Sequence, residues 1–240
     1  MAAKAQRKND EKEALRKERQ REAETRRVEA ARRLRLRVAG VLAAALVALV
    51  AVFLIGRGGD SSSGAGAGEY DFEVGTPGPG ERAPDFQLTT TEGERFDLSA
   101  QRGKQVLLYF QEGIGCQPCW DQITDIEPRF DEFEALGIDE IASITTDPPD
   151  LLEQKVADEG ITTPVMTDLN LTVSDAYSTP DYRMAGMSES FNGHSFLLVD
   201  ENGMIEWRAD YGGPSTGNTM YVPVENLLAD IEQGIDDAGS

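Results

Sequence analysis

Residues 81–236 predict an α/β domain: a central mixed β-sheet flanked by helices, with a β-hairpin at its N-terminal side. Three observations carry that expectation. Apolar runs short enough to be strands alternate with stretches of helical period. The two cysteines of the chain, Cys116 and Cys119, stand three positions apart at the start of one such stretch. The run before them, residues 105–110, is apolar throughout, as in a strand buried on both faces.

Taken in order, residues 86–89 and 95–98 flank Thr91-Glu92-Gly93 as a hairpin. Residues 105–110 form the central strand. Ile123, Ile126, Phe130, Phe133 and Leu136 recur at helical spacing after the cysteines, with Pro128 placed to kink the helix and Gly137 to end it. Residues 138–145 read as a strand, 150–159 as a helix, 163–166 as a strand and 169–177 as a short helix. Residues 195–200 and 204–208, joined by Glu201-Asn202-Gly203, make a second hairpin. Val224, Leu227, Leu228 and Ile231 follow Pro223 as one amphipathic helix.

Charge divides the chain. Residues 1–37 carry +7, which leaves −27 on the remainder of a chain whose net charge is −20. Residues 38–55, from Val38 to Ile55, hold no charge and are nearly all Ala, Val, Leu, Ile or Phe; these 18 positions just reach the length of a membrane span. A transmembrane helix is therefore expected over 38–56, and the arginine-rich flank before it predicts a cytoplasmic N-terminus and an extracytoplasmic C-terminal domain. A cleaved signal peptide is the rival, but its basic and apolar regions are normally shorter. In both cases the cysteines end up outside the cytoplasm.

Within residues 1–37, Glu13/Lys17, Glu22/Arg26 and Glu29/Arg33 stand at the spacing that supports an exposed helix. No aromatic residue is available there for base stacking, so contact with anionic lipid is expected rather than nucleic-acid binding. Residues 57–80, rich in Gly, Ser and Pro, read as a linker. The acidity of the rest implies high solubility and repulsion from anionic surfaces, and a saline habitat would explain it equally well.

Gly115-Cys116-Gln117-Pro118-Cys119-Trp120 carries the chemistry. Two thiols on one turn at a helix N-terminus can close a reversible disulfide, and the unpaired N–H groups of that turn lower the pKa of the first thiol. Cys116 is the expected attacking thiolate and Cys119 the resolving thiol. A purely structural bridge closing so short a loop gains little chain entropy. Structural zinc needs about four ligands, and the chain has one histidine, His194, to add to the two cysteines. No metal and no organic cofactor is expected.

Ala83-Pro84-Asp85-Phe86, Phe96-Asp97-Leu98-Ser99 and Gly103-Lys104-Gln105-Val106-Leu107-Leu108-Tyr109-Phe110, followed by the C-x-x-C, resemble the redoxin (AhpC/TSA) branch of the thioredoxin superfamily over about residues 83–231. That branch includes peroxiredoxins and membrane-tethered thioredoxin-like oxidoreductases. The resemblance implies a thioredoxin-like fold and a redox-active dithiol. It also locates departures. Peroxiredoxins place Thr or Ser three residues before the reactive cysteine and Pro seven before, where this chain has Gly113 and Tyr109. Six residues before the strand-ending Asp, where relatives place a cis-Pro or an Arg, Asp200 counts back to His194.

His194 is accordingly a candidate site residue beside Cys116 and Cys119, either as an imidazolium favouring the thiolate or as a neutral acceptor of its proton; the alternative is a surface histidine in a strand-entry loop. Glu112 could relay a proton to Cys119, but a solvated carboxylate is the favoured reading. Trp120 is expected to border the thiols and flatten a docking surface, with ordinary helix packing as the alternative. Tyr182, Met184, Met187 and Phe191 supply apolar surface for either a substrate-facing flap or packed core.

The expected function is a membrane-anchored, extracytoplasmic thiol–disulfide oxidoreductase acting on protein disulfides or thiols and restored by an external dithiol. Alternatives are a peroxiredoxin-like antioxidant and a Cu(I)-binding assembly chaperone using Cys116, Cys119 and His194. The register of His194 fits a redoxin better than the copper proteins.

Overall fold

The computed structural model describes residues 70–188 and 190–239. The basic segment, the apolar span 38–56 and most of the expected linker lie outside these residues. Among the described residues no helix is long and apolar enough to cross a membrane.

An antiparallel hairpin of β1 (Gln87–Thr89) and β2 (Arg95–Asp97) precedes a five-stranded mixed sheet. Its strands are β3 (Val106–Phe110), β4 (Glu140–Thr145), β5 (Val165–Thr167), β6 (Ser195–Val199) and β7 (Ile205–Asp210), in the order β5-β4-β3-β6-β7. β3, β4 and β5 run parallel, and β6 and β7 run antiparallel to their neighbours. The helices are α1 (Gln117–Ile126), α2 (Phe130–Ala135), α3 (Pro149–Glu159), α4 (Thr172–Ala176) and α5 (Val224–Ala238).

Strand alternation on β3 organises two cores, because successive side chains leave opposite faces. Leu107 and Tyr109 point to one face, where they join Ile123 of α1, Phe133 of α2 and Leu227 and Ile231 of α5. Val106, Leu108 and Phe110 point to the other, with Phe86 and Phe96 of the hairpin and Tyr177. All five β3 residues are buried, as the uninterrupted apolar run requires.

The expected helix kink is a full interruption. A 3₁₀ turn over Glu127–Arg129 separates α1 from α2, since Pro128 has no N–H to continue the helical ladder. β5 begins at Val165, later than expected, because the Glu127 carboxylate takes the N–H groups of Thr162 and Thr163, both at 2.6 Å. α4 is shorter than residues 169–177: Asp168 Oδ2 accepts from the N–H groups of Val173 and Ser174 and sets its start.

The last part of the expected linker belongs to the domain. Glu73 bridges Asp210 through both its backbone groups, at 3.0 and 2.8 Å, and Gly80 and Glu81 pair with Ile205. Phe72 is buried against Trp207 and Tyr211. This pairing caps both ends of the outer edge of β7, while Thr90 and Thr91 pair with β5, so each sheet edge is partly closed to pairing with another chain. Glycine and proline content suggested a flexible linker; one aromatic side chain and an unpaired strand edge anchor the segment instead.

A buried ion pair holds the same junction. Arg208 and Asp210 are fully buried and meet through two hydrogen bonds, at 2.7 and 2.9 Å. Arg208 also donates to the Pro77 carbonyl at 2.9 Å, Asp210 accepts from the Gly75 N–H at 2.8 Å, and the guanidinium lies 5.6 Å from the Tyr182 ring centroid. Removing one partner leaves a buried charge unpaired. Asp210→Ala is expected to cost about 3–5 kcal/mol in urea unfolding, and the paired replacement Arg208→Met/Asp210→Leu far less. Equal losses in the two variants would show that the charges are not coupled.

Candidate active site

β3 leads directly into the thiols. After Gln111 and Glu112 the chain turns at Gly113, whose φ is +86°, in the left-handed region that side chains disfavour. A Cβ there would also overlap the Asp147 carboxylate. That carboxylate is held in place: its Oδ2 accepts from the Ile114 N–H at 2.8 Å and the Thr145 hydroxyl at 2.9 Å. The Gly113 carbonyl in turn accepts from the Cys116 N–H and from Trp120 Nε1, both at 3.0 Å. The turn thus delivers Cys116 to the N-cap of α1, with Pro118 in the first turn, where its missing N–H costs nothing.

Cys116 and Cys119 form a disulfide with Cα atoms 5.3 Å apart. Cys119 is fully buried, and Cys116 keeps 6% exposure. The Cys119 N–H points at Cys116 Sγ at 3.2 Å, so the helix N-terminus acts on the first sulfur and favours its thiolate once the bridge is reduced.

His194 is not a surface histidine. It is fully buried just before β6, with its ring centroid 5.0 Å from Tyr109, 5.4 Å from Phe196 and 6.3 Å from Tyr211. These three aromatics belong to the core cluster that contains Cys116 and Cys119. Nδ1 lies 3.0 Å from the Tyr109 hydroxyl, which lies 3.2 Å from the Cys119 carbonyl. Burial pushes the His194 pKa down to about 3. The imidazolium expectation is therefore corrected: in this environment the ring is neutral, because no carboxylate in contact offsets the loss of water.

Glu112 is corrected as well. It is 2% exposed, not solvated, and its Oε1 accepts from the Met184 N–H at 2.8 Å. Burial raises its pKa, and the Met184 N–H partly opposes that shift. Trp120 is fully buried, so it packs the core beneath the thiols and offers no docking face.

The segment from Tyr177 to Asn192 is split between the two expected roles. Tyr177 and Asn192 are core, whereas Met184 is 36% exposed. The Tyr182 carbonyl lies so close to Gly193 and Gly212 that a Cβ on either would overlap it. Further ties run from the Ala185 N–H to Asn218 Oδ1 at 2.9 Å and from the Thr146 hydroxyl to the Ser190 carbonyl at 2.8 Å. Tyr182 thus packs against Gly193, the residue before His194, and against Gly212.

Two site residues escaped the sequence reading. Tyr109 enters the sequence reading as part of a buried strand and as a departure from the peroxiredoxin proline, not as a site residue, although a hydroxyl in a run buried on both faces requires a partner. Asp147 carried no signal, since its role depends on a turn distant in sequence. The Cu(I) alternative finds no support in this geometry. Among the described residues no group of three or more His, Cys, Asp or Glu side chains is arranged to hold a metal.

A thioredoxin-like mixed sheet with a disulfide-forming C-x-x-C at a helix start defines a thiol-dependent oxidoreductase. A family model described as the AhpC/TSA family matches residues 79–208. The thiol-disulfide oxidoreductase ResA of Halalkalibacterium halodurans is 35% identical over 99 residues, 41% of this chain and 55% of that protein. Peroxiredoxin Bcp of Escherichia coli is 27% identical over 129 residues, 53% of this chain and 81% of that protein. Among solved structures, peroxidoxin BcpB from Mycobacterium tuberculosis superposes with a TM-score of 0.52 at 16% identity, covering 65% of this chain and 96% of its own. The chain belongs to the AhpC/TSA family. It is an oxidoreductase of the thiol–disulfide and peroxiredoxin-like class, with Cys116 and Cys119 as its cysteine pair.

The depressed pKa of His194 sets a pH dependence. Its folded pKa lies below the ordinary 6.5, so the unfolded chain binds the extra proton; stability is complete above about pH 6.5 and falls by about 1.4 kcal/mol per unit as pH drops toward 3. Glu112 acts in the opposite sense, because its raised folded pKa favours the folded state in acid and that contribution is lost as pH rises. Comparison with His194→Asn isolates the histidine. Urea unfolding from neutral to acid pH should show a shallower acid loss in the variant, and equal slopes would mean that His194 is charged or hydrated.

Proposed function

We propose that the chain is a membrane-anchored, extracytoplasmic thiol–disulfide oxidoreductase in which Cys116 attacks and Cys119 resolves. The observation that carries the roles is the asymmetry of the pair: Cys116 is the more exposed residue, and its Sγ receives the Cys119 N–H at the helix N-cap. The reduced Cys116 thiolate attacks a substrate disulfide and releases one thiolate. Cys119 then attacks Cys116 Sγ, releases the second substrate thiolate and leaves the disulfide present here. An external dithiol partner returns the pair to its reduced form, with no cofactor.

Gly113 favours disulfide exchange over peroxide reduction. The position at which peroxiredoxins carry a hydroxyl is in left-handed backbone against Asp147, so a Thr or Ser cannot be accommodated there without displacing that carboxylate. Peroxide would meet an activated thiolate without its positioning group. The anchoring rests on sequence: the uncharged residues 38–55 and the +7 segment before them.

Cys119→Ser is expected to accumulate mixed disulfides with partner proteins, while Cys116→Ser accumulates none; the reverse pattern on non-reducing gels would exchange the roles. For the anchor, the full chain should stay with membranes after carbonate washing, with Cys116 open to an impermeant thiol reagent in intact, reduced cells. Recovery of a processed form lacking residues 1 to about 66 would make the span a signal peptide instead.

A further inference from the structure

The peptide group between Gly113 and Ile114 is engaged at both ends. Its N–H donates to Asp147 Oδ2 at 2.8 Å, and its carbonyl accepts from the Cys116 N–H and from Trp120 Nε1, both at 3.0 Å. One planar unit therefore joins a carboxylate on one side to the reactive cysteine on the other. Asp147 is itself fixed to the sheet. Its N–H donates to the Thr145 hydroxyl, which donates to Asp147 Oδ2, both at 2.9 Å, and its carbonyl accepts from the Thr167 hydroxyl. Thr145 ends β4 and Thr167 ends β5. The carboxylate thus transmits the position of two strands to the turn that follows a third.

On the reading of Cys116 as the attacking thiolate, we infer that Asp147 is a positioning residue for it, acting through the Gly113–Ile114 peptide. A hydrogen bond from a peptide N–H to a carboxylate is stronger than one to a neutral acceptor. Hydrogen bonds in series polarise one another, so the Gly113 carbonyl becomes a better acceptor for the Cys116 N–H. With its N–H held there, Cys116 stays at the N-cap of α1, where its Sγ receives the Cys119 N–H at 3.2 Å. That alignment lowers the proton affinity of the thiol. The negative charge of Asp147 pulls the other way, since one anion disfavours another nearby. Asp147 is only half-buried, so solvent screens its charge while the hydrogen bond keeps its geometry. The two influences differ in sign, and substitution separates them.

The full chain with Cys119→Ser carries Cys116 as its one thiol, and the pH dependence of its alkylation by iodoacetamide reads the Cys116 pKa. In this parent it should lie below the ordinary value of about 8.5. Adding Asp147→Ala should raise it by roughly one pH unit, the size of a lost helix-cap interaction. Asp147→Asn keeps an acceptor for the Ile114 N–H and discards the charge, so its Cys116 pKa should stay at or below that of the parent. Selective ¹⁵N-tryptophan labelling reports the peptide directly, because one of the two tryptophans, Trp120, donates to the Gly113 carbonyl. In Asp147→Ala its Nε1–H proton resonance should move upfield as the carbonyl becomes a poorer acceptor, while that of Trp207 on β7 stays in place. Movement of both indoles would signal a general loosening of the fold. That result, an unshifted or lowered Cys116 pKa in Asp147→Ala, an equal rise in Asp147→Asn, or an unmoved Trp120 resonance each overturns the assignment. All four leave the oxidoreductase reading standing, whereas a parent Cys116 pKa at or above the ordinary value removes both.

Discussion

The turn at Gly113 is the constraint on which the rest of the site depends. A strand buried on both faces must end, reverse and present a helix N-terminus within a few residues, and its polar backbone must find partners without water. The Gly113 carbonyl meets that demand by accepting from both the Cys116 N–H and Trp120 Nε1. Asp147, from the loop after β4, holds the outside of the turn through the Ile114 N–H. Because a carboxylate occupies the space where a side chain would project, the position is closed to the hydroxyl residue that peroxide chemistry uses elsewhere in the family. The departure from the family pattern and the packing of the loop are one fact.

Dryness is the second theme. The interior beside the thiols holds an imidazole, a phenol and a carboxyl in place of a solvated cleft, and burial shifts each toward its neutral form. The segment around Tyr182 packs beside His194's backbone, and it can lie so close only because Gly193 and Gly212 have no Cβ. Electrostatic interactions strengthen in such surroundings. The Tyr109 hydroxyl proton and the His194 ring proton therefore have defined places, the first directed at the Cys119 carbonyl and the second at the Tyr109 oxygen.

The ends of the sheet show how the domain isolates this core. The hairpin side pairs with β5 and residues 73–81 cap both ends of β7, with the Arg208–Asp210 pair binding the second segment from inside. Tyr182 reaches the same guanidinium, so the segment around Tyr182 and the segment along β7 share one anchor.

Much was legible in the sequence, because periodicity and spacing are local properties. The strand at 105–110, the cysteines at a helix start and a break in helical regularity at Pro128 follow from patterns a few residues long, whereas His194 is singled out through the register of the family resemblance. What only the tertiary structure decided depends on partners distant along the chain. Glu112 is buried because Met184, 72 positions away, brings its N–H to it. Gly75 and Pro77 join the domain because Arg208 and Asp210 are buried beneath them. Trp120 turns inward because the Gly113 carbonyl needs a second donor. Composition reads each of these as a surface or linker residue. The physical reason for the difference is that the cost of an unpaired polar group is set by the fold that surrounds it, and a sequence window does not contain that fold.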